Sequence, residues 1–90
     1  MRPSKNVQLM QALAIEIKVR REQLGYTQED LAGKCELDRP YISLIEVGKK
    51  QPTISVLLRL AHGLGLSLGV FMQRVERRYE LGADVPRKQS

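Results

Sequence analysis

The chain has 90 residues, of which 42% are apolar and 28% charged. That length suits one small domain around one core, and no apolar run approaches the ~20 residues of a membrane helix or looks like a secretory leader. Fifteen Lys and Arg against 10 Asp and Glu give a net charge of +5, and the single cysteine excludes an internal disulfide and a thiolate metal cluster. The positive balance favours a polyanionic partner, with plain solubility as the alternative. The cysteine count and the missing leader point to a cytoplasmic protein.

Residues 1–6 are polar and contain Pro3, which reads as a loose arm whose Arg2 and Lys5 could graze a phosphate. Residues 7–24 read as a first helix with Leu9, Leu13, Ile17 and Leu24 on one stripe and Gly25 as its stop. Arg21 lies close to that stripe, an odd place for a charge without a partner.

Thr27, with Asp30 three residues on, gives the signature of a capping box for a second helix. Leu31, Ala32 and Cys35 form its inward face, with Cys35 as an inert core residue. Ala32 is small enough to let a neighbouring helix come close. Gly33 costs about 1 kcal/mol in a helix interior and has no evident reason to be there.

Glu36 and Leu37 make a turn. Asp38 is expected to cap a third helix, where Pro40 is tolerated because first-turn amides lack helical partners. Ile42 and Ile45 face inward at i, i+3, and Pro40, Ser43, Leu44 and Val47 lie on the opposite side, flanked by Arg39 and Tyr41. Gly48 ends that helix.

Lys49, Lys50, Gln51 and Pro52 form a basic loop, expected to meet phosphates. Thr53 caps a fourth helix carrying Ile54, Leu57, Leu58, Ala61 and Leu64, closed by Gly65. Ser67 caps a fifth, over 67–81, with Leu68, Phe71, Met72, Val75 and Tyr79. Residues 82–90 are rich in Gly, Pro and basic groups and read as a mobile tail. The expectation is an all-α fold in which 7–81 form one five-helix domain, with a helix-turn-helix at 27–47.

Taken together, Arg21, TQEDLA at 27–32, LDRPYISLIE at 37–46, Gly48, Lys49, Pro52 and LLRLAHGLGLSL at 57–68 resemble the Cro/C1 (phage repressor-like) helix-turn-helix family. LDRPYIS is particularly similar to the controller proteins of restriction–modification systems, a subgroup of that family. The resemblance implies that the second helix crosses the DNA backbone while the third enters the major groove. It implies base-facing roles for Arg39, Pro40, Ser43 and Leu44. Gln28 matches a position that clamps a phosphate and braces the reading helix, and Thr27 starts the same helix. Tyr41 matches a position that touches sugar or phosphate, although it could equally pack at the core edge. Arg21 and Glu46 match a buried ion pair. Two departures stand out: Glu36 occupies a position often held by Gly or Asn, and Pro40 and Leu44 replace polar groups, which puts weight on Arg39.

The expected partner is a double-stranded DNA operator, bound by a C2 homodimer. Helix five is its expected interface, with Leu68, Phe71, Met72, Val75 and Tyr79 divided between core and mate. RNA polymerase is a further partner if the protein recruits it. An antitoxin-like or adaptor module, gripping another protein through helix five or the tail, is the alternative. His62 has no Cys or acidic cluster at ligand spacing, and no catalytic constellation appears, so neither a metal, a cofactor nor an enzymatic activity is expected.

Overall fold

The computed structural model describes residues 6–82. Its elements are α1 (Val7–Gln23), α2 (Gln28–Cys35), α3 (Arg39–Glu46), α4 (Ile54–Gly63) and α5 (Leu68–Gly82). No strand occurs among the described residues.

Each helix start is set locally. Asn6 Oδ1 accepts from Leu9 N at 2.9 Å and caps α1. The same side chain donates to the Tyr79 hydroxyl at 3.2 Å. Asn6 therefore belongs to the folded domain and not to the expected arm, of which residues 1–5 lie outside the described part. Thr27 and Asp30 form a reciprocal capping box on α2. Thr53 Oγ1 accepts from Val56 N, and Ser67 Oγ from Val70 N. Gly82 ends α5, one residue beyond the expected boundary, and the rest of the proposed tail lies outside the described residues.

Four helices close with the same paired bonds. Tyr26, Leu37, Lys49 and Leu66 donate to the carbonyls of Arg21, Ala32, Leu44 and Ala61, five residues earlier. This closure needs one residue with positive φ. Gly25, Gly48 and Gly65 supply it at φ 76–77°, while after α2 the residue is Glu36, at φ 58° and ψ 45°. Glu36 thus adopts the left-handed conformation despite its side chain, a strain of about 1–2 kcal/mol.

The core joins Leu13 and Ile17 of α1, Leu31, Ala32 and Cys35 of α2, Ile42 and Ile45 of α3, Leu60, Ala61 and Leu64 of α4, and Phe71 and Val75 of α5. The expected stripes shift in two places. On α1 the buried set contains Met10 and Ala14, and Leu9 is at the surface. On α4 it contains Leu60, and Ile54 and Leu58 are exposed. Gly63 packs over the Cys35 thiol so closely that a Cβ there would sit 2.5 Å from Sγ. A Cβ at Gly33 would meet nothing within 4 Å, and the structure gives no reason for the glycine.

α5 lies along α1 and is held by a buried charge. Glu16 is 2% exposed, and its oxygens accept from Arg74 Nε and Arg78 Nε, each at 2.6 Å. Both oxygens of a carboxylate that burial would otherwise penalise are thereby engaged. Phe71 and Val75 are fully enclosed in the protomer core, so their side chains have no surface to give a mate. Of the five residues expected to divide between core and mate, these two belong to the core. Leu68, Met72 and Tyr79 are half-buried against the same core.

Candidate nucleic-acid interface

α3 has one face for the molecule and one for solvent. Ile42 and Ile45 are enclosed in the core. At the helix end, the Glu46 side chain is 3% exposed and accepts three bonds. Arg21 Nε reaches Oε2 at 2.7 Å, while Arg21 Nη2 and Gln28 Nε2 each reach Oε1 at 3.0 Å. Arg21 Nη1 turns to the Tyr26 carbonyl at 2.7 Å. The hydrogen bond to Glu46 holds the Arg21 guanidinium above its ordinary pKa. One carboxylate thus ties α3 to both α1 and α2, with no buried side-chain polar atom left unpaired among the described residues. The expected ion pair is present, and Gln28 is in the bracing position. Its amide carries two N–H donors, and Glu46 takes only one.

The turn before α3 has its own support, from a residue the sequence did not single out. Arg59 on α4 donates from Nε to the Cys35 carbonyl at 3.0 Å and from Nη2 to the Glu36 carbonyl. The end of α2 and the strained Glu36 are therefore both held from α4. A basic residue flanked by Leu58 and Leu60 was the available signal.

On the solvent side, Arg39 and Pro40 are exposed, Ser43 is half-buried, and Leu44 and Val47 are 42% and 62% exposed. Tyr41 is half-buried against the core, with Lys50 Nζ 5.8 Å from its ring centroid. Lys49, Lys50 and Gln51 are exposed in the loop that follows, anchored by the buried Pro52. Thr27 is exposed, although its hydroxyl is occupied by Asp30 N at 3.0 Å. Asp38 precedes α3 with the extended backbone of a cap, but its side chain makes no cap bond, contrary to expectation. Pro40 is one part of the cause. A capping carboxylate bonds the second or third helical amide. Here the second position has no N–H, and the third, Tyr41 N, is taken by the Asp38 carbonyl at 3.0 Å.

Other chemistry finds little footing. No group of three His, Cys, Asp or Glu is placed to hold a metal among the described residues. Burial pushes the Cys35 thiol up to about 11, which keeps it protonated and unreactive. No single described helix is long and apolar enough to cross a membrane.

A helix locked on its isoleucine side, braced by the preceding helix and followed by a basic loop, is the working part of a helix-turn-helix module. The chain belongs to the helix-turn-helix family, whose profile matches residues 17–71. Among similar proteins, the control protein C.MunI from Mycoplasma sp. is 35% identical over 60 residues, 67% of this chain and 81% of that protein. The restriction–modification controller protein C.Esp1396I, solved as a tetramer with its natural 35-base-pair operator, superposes with a TM-score of 0.75. It is 39% identical, over 80% of this chain and 95% of that one. The clp gene regulator ClgR from Corynebacterium glutamicum superposes at 0.78 with 26% identity, over 91% of this chain and 85% of that one.

Proposed function

We propose that this protein is a transcriptional regulator that binds a specific double-stranded DNA operator as a homodimer, in the manner of a restriction–modification controller. The observation that carries this is the solvent face of α3. Pro40, Ser43 and Leu44 lie on the helix side away from Ile42 and Ile45, flanked by the exposed Arg39 and followed by Lys49 and Lys50. A B-DNA major groove admits one helix, and a side chain at its leading end reaches base edges first. Arg39 reads a guanine through O6 and N7, and Leu44 and the Pro40 ring supply apolar contact for a thymine methyl. Gln28, the α2 start at Thr27, Tyr41, Lys49, Lys50 and Gln51 set register on the phosphates. Two α3 helices related by a twofold would sit about 34–36 Å apart on a pseudo-palindrome. Leu68, Met72 and Tyr79, half-buried along one flank of α5, provide the surface for the mate. The protein acts by occupancy in the cytoplasm, either obstructing or recruiting polymerase, with no cofactor.

Selection from a randomised duplex pool tests this, followed by footprinting on the enriched sequence. The expected result is a two-fold symmetric site protected by a dimer, with dimer mass by sedimentation at tens of micromolar. An unenriched pool, with affinity that depends on salt alone, overturns the reading.

A further inference from the structure

The face that enters the groove in this reading carries an acid as well as a base. Asp38 stands immediately before Arg39 at the leading end of α3, and both are exposed. Among the described residues neither side chain has a partner: Asp38 makes no cap bond, and the ion pairs involve only Arg21–Glu46 and Glu16 with Arg74 and Arg78. The third-position amide that the other caps of this fold engage, Tyr41 N, is taken by the Asp38 backbone carbonyl, and Pro40 leaves the second position without an N–H, so the carboxylate is idle. A negative group at this place is repelled by phosphates, so binding DNA with it costs free energy unless it meets a donor. The major groove offers such a donor, the exocyclic amino group of cytosine, for which Asp and Glu are the matching acceptors.

We infer that Asp38 is a specificity-determining residue that accepts a hydrogen bond from cytosine N4, beside the guanine read by Arg39. Acid and base then form a two-charge reader for a site containing G and C. The carboxylate also acts against non-specific binding, because every duplex meets its charge but only the correct one supplies the amino group. This rests on the DNA-binding reading above, with α3 as the helix in the groove.

The test repeats the pool selection with wild type, Asp38→Asn and Asp38→Ala. In the wild-type site, one preferred cytosine becomes indifferent in Asp38→Ala. In Asp38→Asn it shifts toward adenine, whose N6 and N7 suit a carboxamide. Replacing that cytosine by N4-methylcytosine, which keeps pairing but alters the groove-facing amino hydrogen, weakens wild type roughly 5- to 150-fold and leaves Asp38→Ala unaffected. Binding of both variants to a scrambled duplex stays level or rises. A residue that only capped α3 would give a different pattern: uniform loss on all duplexes with an unchanged base profile. That outcome overturns the inference while leaving the proposed function standing. A wild-type pool that enriches no sequence overturns both.

Discussion

The Arg21 guanidinium grips the Glu46 carboxylate with two bonds, Nε to Oε2 at 2.7 Å and Nη2 to Oε1 at 3.0 Å, across 25 residues of sequence. This fork–fork geometry fixes direction as well as distance. Since Gln28 shares Oε1, the tilt of α3 is determined jointly by α1 and α2. Removing Arg21 strands a carboxylate that is nearly shut from water. Arg21→Ala is therefore expected to lower unfolding free energy by about 3–5 kcal/mol in urea titrations. Arg21→Met with Glu46→Leu, which removes both charges, is expected to recover most of that loss. A single-variant loss below about 1 kcal/mol would show that the pair carries little of the fold.

Arg39 and Lys50 are separable by what their loss changes. Arg39→Ala leaves the melting temperature in place, because the side chain is exposed and unpaired. It is expected to abolish preference for one guanine, about 1–3 kcal/mol of discrimination. Lys50→Ala weakens all duplexes alike and makes the log–log salt slope shallower by about 0.9. Competition binding at several salt concentrations distinguishes them. A changed base preference in Lys50→Ala would assign it to base reading instead.

The helices, the caps at Thr27, Thr53 and Ser67, and the two faces of α3 were legible in the sequence because each rests on local rules: apolar spacing, Thr or Ser before the first turn, Gly after the last. The Arg21–Glu46 pair came from family resemblance, supported by the oddity of Arg21 beside an apolar stripe. What was missed depends on long-range placement. Glu16 meets Arg74 and Arg78 58 and 62 residues away. Periodicity registers such a residue only as an acid between Ile15 and Ile17. Arg59 stands out only as a basic residue between Leu58 and Leu60, and the backbone carbonyls it meets have no signature in the sequence. Asp38 is the right residue type for a cap, but Tyr41 N bonds its backbone carbonyl and Pro40 offers no amide, which residue type alone does not show. Leu58 and Ile54 fit the apolar spacing of α4, yet spacing alone does not say which stripe meets the core.

Asp30 gives the acid behaviour of α2. Its carboxyl accepts from Thr27 N at 2.9 Å, and that backbone bond holds its pKa below the ordinary 3.8. The sign follows from the depressed value. The contribution is present above 3.8 and is lost as pH falls through the lower folded-state value. Asp30→Asn is expected to match wild type in acid and to fall below it at neutral pH, with the gap appearing as pH rises past that range. Thermal melts between pH 2 and 7 check this, and a constant gap across the series would remove the ionised cap from the account.

Glu36 and Arg59 make opposed contributions to the turn before α3. Glu36 holds φ 58° where three equivalent turns use glycine, and Arg59 donates to the Cys35 and Glu36 carbonyls, which belong to the peptide groups before and after the strained residue. Glu36→Gly relieves about 1–2 kcal/mol of strain but gives the unfolded chain about 0.4–1 kcal/mol of extra entropy. The expected net is a stabilisation of about 0.5–1 kcal/mol. Arg59→Met leaves the two carbonyls without their donor, and with one of them partly buried it should cost about 1–3 kcal/mol. The double variant reports whether the clamp serves the strain. If Arg59 is needed because Glu36 resists its conformation, Arg59→Met costs less in the Glu36→Gly background. Equal costs in both backgrounds, measured by denaturant unfolding, would mean that Arg59 fastens α4 to the end of α2 independently of the residue in the turn.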